Sequence, residues 1–228
     1  MCSSDLNYVF SDIKSWRIYH FHDTSDSAKV KQTGPINDNM YLKPDASNLA
    51  AFLYYLKEER ESYYKNIIEV IRLAAPFFDD FILRPNPLNP ETIRLEWKEK
   101  GSDTYFNAHT LSDGTLRFIC LATLFLQPED HFPSSILLDE PELGLHPFAI
   151  TLLANLILSA SHNVQVIVST QSVTLVNQFS PEDIIVVDRD NGESVFRRLP
   201  PEEIEKWTDD YGLGDLWEKN IIGGRPSQ

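Results

Sequence analysis

Glycine is scarce in this 228-residue chain. Nowhere do its nine glycines satisfy G-x-x-x-x-G-K-S/T or form a glycine-rich strand-to-helix turn. A complete phosphate-binding loop is thereby excluded from the residues present. There are only two cysteines, Cys2 and Cys120, so no disulfide framework or cysteine metal cluster can be drawn, which agrees with a reducing compartment. No apolar run approaches the roughly 20 residues of a membrane span, and the N-terminus lacks the basic-then-apolar layout of a secretory signal. The expected compartment is the cytoplasm, with no membrane partner. Positive charge is also short. Twenty Lys and Arg against 34 Asp and Glu leave a formal charge of −14, which disfavours wrapping a nucleic-acid backbone by charge alone, although a local basic surface stays open.

What is there reads as a packed α/β protein, with 42% hydrophobic and 24% charged residues. WRIYHF at 16–21 alternates like a short strand, and a polar loop follows to about Asp45. Residues 48–75 place Leu49, Phe52, Leu53 and Leu56, then Tyr64, Ile67, Ile68 and Ile71, at helical spacing, with Asn48 as N-cap and Pro76 as stop. Two strands are expected at 92–98 and 105–109, joined by a turn containing Gly101. Residues 111–127 form a nearly all-apolar helix, expected to be buried, with Ser112 at its N-cap. SSILLDE at 134–140 and QVIVST at 165–170 read as strands buried on both faces, with a helix at 147–161 between them. That order is a βαβ unit with parallel strands. A short helix at 172–179, a strand at 183–188 and a hairpin through RDNGE complete the reading.

The strand at 134–140 delivers Asp139 and Glu140 at its C-terminal end, where open α/β sheets bind ligands. Asp139 suits Mg²⁺, directly or through water, and Glu140 suits orienting and deprotonating an attacking water. Strand-end acids that merely cap the next turn are the alternative. Ser112 and the amides around Gly114 form a donor set at a helix N-terminus, aimed at an anion that Gly114 would let approach. Arg117, one turn on, adds positive charge or is a structural surface arginine. For Ser112 the alternative is an ordinary N-cap.

LSDGTLR at 111–117, ILLDEP at 136–141 and VIVSTQS at 166–172 come in the order and approximate spacing of the signature, Walker B and switch motifs of ABC-type ATPases. From Trp16 through WEKNIIGGRP, the chain resembles the C-terminal half of bacterial AAA-type-core ATPases of the RecF-like and structural-maintenance-of-chromosomes-like (SMC-like) branch. The resemblance implies a partial ABC-like P-loop core with a mainly parallel sheet, preceded by a helical arm. Residues 7–101 would be the arm and lead-in strands, and 102–228 the C-terminal part of the ATPase domain. It further implies ATP and Mg²⁺ as cofactors and a homodimer in which two heads sandwich nucleotide. Glu140 would be the base, Asp139 the metal side, and Ser112 and Gly114 the contacts to the γ-phosphate of the partner's nucleotide. Gln171 takes the switch position that is often histidine; it can sense or orient by hydrogen bonding but cannot take up a proton. ELGLH at 142–146 occupies the D-loop, where His146 either contacts the partner subunit or is a turn histidine.

The phosphate loop of that family lies upstream. MCSSDL at 1–6 resembles the translated end of a sequencing-adapter oligonucleotide, so the native frame is expected to begin before it; a native polar terminus is the alternative. The other function class is a non-catalytic module that dimerises or docks on a nuclease or DNA-associated partner. His20 and His22 have no third metal ligand at a recognisable spacing. Asp188 and Asp190 faintly resemble nuclease acids but read better as a hairpin turn, and Arg189, Arg197 and Arg198 read as a solvated face.

Overall fold

The computed structural model describes residues 15–200, 204, 207 and 211–224. The suspected leader at 1–6 and the last two residues of WEKNIIGGRP lie outside the described residues. In chain order the elements are β1 (Trp16–Tyr19), β2 (Gly34–Pro35), α1 (Leu49–Glu59), α2 (Glu61–Ala74), β3 (Phe78–Phe81), β4 (Thr92–Ile93), β5 (Glu96–Glu99) and β6 (Tyr105–Asn107). Then come α3 (Asp113–Leu126), β7 (Ser135–Asp139), α4 (Pro147–Ala160), β8 (Gln165–Ser169), α5 (Val173–Val176), β9 (Ile185–Asp190), β10 (Glu193–Arg198) and α6 (Leu213–Glu218). They form two compact units, one ending at Ser169 and the other starting at Thr170. Among the described residues no helix is long and apolar enough to cross a membrane.

The α/β class holds. In the first unit β1, β7 and β8 make a parallel sheet in the order β1-β7-β8, and β7, α4 and β8 are the expected βαβ unit. Burial differs from the expectation for β8, which is not covered on both faces. Ile18, Leu137 and Ile167 stand in one register row, and Ile18 is 51% and Ile167 46% exposed. Tyr19, Ile136 and Leu138, on the opposite face, are buried. One face of this sheet is thus closed and the other open. A continuous apolar run cannot distinguish the two, because alternate side chains report on different faces.

The helical stretch at 48–75 is two helices, broken at Arg60 (φ −139°, ψ 48°). Its phase explains the break. Leu49 to Leu56 and Tyr64 to Ile71 are each seven residues apart and share a face, but Leu56 and Tyr64 are eight apart, which on a straight helix rotates the second stripe by about 80°. The non-helical Arg60 resets the phase, so Leu56, Tyr64, Ile67 and Ile71 are all buried. Asn48 sits at the N-cap position without capping. Its buried amide instead donates to the carbonyls of Asp38 (2.9 Å) and Tyr41 (2.8 Å) and accepts from the Lys43 amide (2.9 Å).

The expected strand at 92–98 is divided into β4, paired with β2, and β5, which lies between β3 and β6 in an antiparallel sheet. β3, at FDDF, lies in a stretch to which the sequence pattern assigned no element. A register shift between Phe78 and Asp80 puts both Phe78 and Phe81 into the core at a spacing of three, which breaks the alternation that marks a strand. α3 behaves as expected, with every residue from Leu116 to Phe125 buried.

In the second unit β9 and β10 form the anticipated hairpin, turned by Asn191 (φ 48°) and Gly192 (φ 88°), the backbone pair of a type I′ turn. Val176, Val186, Leu199, Ile204, Leu213, Leu216 and Ile222 make its core. Asp188 is structural: its Oδ1 accepts the Gly224 amide (2.6 Å) and its Oδ2 stands 3.6 Å from Arg197.

Candidate functional site

The acids at the end of β7 are fixed by β8. Register sets Asp139 opposite Ser169, and the Ser169 hydroxyl donates to Asp139 Oδ1 over 2.8 Å. One residue on, the Glu140 amide donates to the Ser169 carbonyl (2.8 Å), and the chain turns with Glu140 at φ 39°. A non-glycine residue in this left-handed region costs about 1–3 kcal/mol and persists only where its surroundings impose it. They do so here. The Leu143 amide donates back to the Glu140 carbonyl (3.2 Å), the Leu145 amide to that of Glu142 (3.0 Å), and Pro141 and Glu142 are buried. The turn closes at Gly144 (φ 77°) and enters α4 through His146 and Pro147.

His146 is the N-cap of α4. Its Nδ1 accepts the Phe148 amide over 3.3 Å, which requires an unprotonated Nδ1, while Pro147 supplies the preset φ of a first helical position. The same economy holds at α3. Ser112 Oγ accepts the Thr115 amide (3.2 Å) and lies 2.8 Å from the Thr115 hydroxyl.

Gly114 has a reason to be glycine within the chain itself. A Cβ there would lie 2.3 Å from the Gly144 carbonyl oxygen, so the first turn of α3 and the turn after Glu140 meet backbone to backbone. Arg117 is buried, not the surface arginine that one reading of the sequence allowed. It is 6% exposed, with Nε donating to the Phe21 carbonyl (3.1 Å) and Nη2 to that of His22 (3.3 Å). A Cβ added to Gly144 would sit 3.2 Å from its Nη1, so the guanidinium also underlies that turn. Burial lowers its proton affinity, opposed by the charge of Asp113.

The first unit thus brings together Asp139, Glu140 and Ser169 at one strand end, and Gly114, Arg117 and the 140–146 turn beside it. Gln171 belongs to the second unit, ahead of α5. Ser169 is the residue the sequence reading passed over. No local signal marks it, because what sets it opposite Asp139 is the pairing register of two separate strands. The narrow pocket between Phe21, His22, Arg117, Leu138, Asp139 and Pro141 has a volume of about 10 Å³, room for no more than one water. Asp139 itself is exposed, so a ligand for it must approach from outside the fold.

The donor chemistry suits a hard cation. Carboxylate and hydroxyl oxygens are what Mg²⁺ takes, usually one or two carboxylates with the remaining positions held by water and phosphate. Among the described residues no group of three or more His, Cys, Asp or Glu could hold a metal, so an all-protein cage of the kind Zn²⁺ or Ca²⁺ uses is not available there.

The family model described as "AAA domain, putative AbiEii toxin, Type IV TA system" matches residues 4–177. No curated protein matches the chain. Several SMC head structures have a similar fold. One comes from work on ATP-driven dimerisation and DNA-stimulated activation of SMC ATPases; it has a TM-score of 0.50 and 23% identity over 68% of this chain and 94% of its own. An SMC head bound to the C-terminal winged-helix domain of ScpA gives 0.51 and 22%, over 68% and 50%. The Pyrococcus furiosus SMC head with an extended coiled coil, bound to the C-terminal domain of ScpA, gives 0.50 and 22%, over 73% and 44%. The chain spans nearly all of the first of these and half or less of the other two, and at such identities the likeness shows the fold.

Proposed function

The chain belongs to the AAA-domain family whose model matches residues 4–177 and has the fold of an SMC ATPase head, and from that premise we propose that it is the signature, Walker B and switch part of a protein that, when intact, carries out Mg²⁺-dependent ATP hydrolysis in a dimer of heads closed around nucleotide. The observation that carries this reading is the pair Asp139 and Glu140 at the C-terminal end of a parallel strand, with the Glu140 amide tied to the neighbouring strand. Asp139 holds the metal side, directly or through water. Glu140 accepts the proton of the attacking water, a role that Gln171 cannot take, since an amide only orients by hydrogen bonding. When bound, Mg²⁺ supplies charge neutralisation at the phosphates.

Ser112 and the amides at the start of α3 face the γ-phosphate of nucleotide held by the partner head. The Ser112 hydroxyl accepts the Thr115 amide, and with the Thr115 hydroxyl as the donor between the two side chains its own proton is left for a phosphate oxygen. Arg117 supports the reading as a fixed positive charge beneath the 140–146 turn, and His146 as the exposed N-cap of α4 at the dimer face. Dimerisation accounts for an acid end that is open to solvent rather than enclosed. The relatives described as undergoing ATP-driven dimerisation and DNA-stimulated activation, or bound to ScpA, support a dimer and make DNA or an accessory protein the partners to try first.

Glu140→Gln tests the assignment. ATP binding and dimerisation are retained while turnover drops by about 10²–10⁴-fold, the usual worth of a positioned base. Undiminished hydrolysis would remove Glu140 from the reaction. One observation favours a second reading, a non-catalytic interaction module acting with a nuclease or DNA-associated partner: the 228 residues hold no G-x-x-x-x-G-K-S/T. Equilibrium ATP binding by the protein expressed from its native locus, upstream frame included, separates the two, since the module binds none.

A further inference from the structure

Ser169 holds both acids of the β7 end, and none of the motifs above gives it a role. Its hydroxyl donates to Asp139 Oδ1 (2.8 Å) while its carbonyl accepts the Glu140 amide (2.8 Å). We propose that Ser169 is a positioning residue that presents the Asp139 carboxylate to a hydrated divalent cation. This rests on the reading of Asp139 as the metal-side acid.

A lone carboxylate on an exposed strand end rotates about its last bond and offers a cation no fixed direction. The hydroxyl engages Oδ1 of Asp139, which restrains that rotation and leaves the lone pairs of Oδ2 for a cation. The hydroxyl spends its proton on Asp139 and keeps its lone pairs, which can accept from a metal-bound water. Mg²⁺ retains several waters in protein sites, so an outer acceptor of this kind has something to hold. Partners that orient ligating carboxylates commonly change metal affinity by about 10–100-fold when removed.

The two contacts of Ser169 separate cleanly in a variant. Ser169→Ala removes the hydroxyl but leaves the backbone carbonyl that holds Glu140, and the side chain is exposed, so no packing is lost. Ser169→Thr restores the hydroxyl on a residue well suited to a strand.

The test is a titration of the intact protein, expressed from its native locus, with Mn²⁺ in the presence of ATP, following the electron paramagnetic resonance signal of free Mn²⁺ against the same ATP without protein, with circular dichroism melts run in parallel. The expected result is that Asp139→Asn abolishes uptake, Ser169→Ala weakens it by about 10–100-fold with an unchanged melt, and Ser169→Thr returns it to within a few-fold of the parent. Uptake by Ser169→Ala equal to the parent, with Asp139→Asn impaired, overturns the positioning role alone. No uptake by the parent, or unchanged uptake by Asp139→Asn, overturns the metal assignment and this inference with it.

Discussion

Two strands of this protein carry acids at or near their C-terminal ends, and their surroundings treat them in opposite ways. At the end of β7, Asp139 is exposed and touches a serine hydroxyl, a neutral donor. In β9, Asp188 accepts the Gly224 amide and pairs with Arg197, whose other contact is the Ile222 carbonyl (2.7 Å). The second carboxylate staples residues 222–224 to the hairpin; the first is held only by a side-chain hydroxyl and faces solvent. In sequence, DE and DRD look alike. What separates a structural acid from a candidate ligand is how many of its acceptor sites the fold has already used.

The contrast can be broken most forcefully from the side. Gly114→Ala drives a methyl group into the Gly144 carbonyl, and the expected loss is about 3 kcal/mol, the upper end of ordinary overpacking, read as a shift in the denaturant midpoint. If the turn after Glu140 has slack, the loss shrinks below about 1 kcal/mol. Asp188→Ala should cost about 2 kcal/mol, because the Gly224 amide loses a charged acceptor. For a domain of this size that lowers Tm by roughly 4–8 °C. ATP turnover should not change, and a melt equal to the parent's would abolish the distinction between the two acids. The smallest effect has the opposite sign. Glu140→Gly relieves the left-handed backbone and should raise stability by about 1 kcal/mol while removing the base; a drop in stability would show that the Glu140 side chain supports the turn.

Much of the fold was legible in local pattern. The apolar length of α3, the runs at β7 and β8, and Asn191-Gly192 each carry their own conformational signal, and the structure places helix, parallel strands and hairpin there. Burial of β8 was not legible, since a run of Val and Ile says nothing about how many layers cover it. Nor was the role of Asn48, whose partners lie in a loop with no periodicity. At the site the acids could be read from their strand, and Ser112 from its helix. Arg117 could not, because the carbonyls it reaches lie 95 and 96 residues away. Contacts of that span depend on tertiary placement, which no local motif encodes.

Where α3 meets the turn after Glu140, carbonyl oxygen faces bare α-carbon. Side chains at an interface absorb a push by changing rotamer, and two backbones in direct contact have no such cushion. The first turn of α3 therefore has no side chain between it and the Gly144 carbonyl, and only three residues separate Gly144 from Glu140, so neither segment can be shifted toward the other without moving backbone.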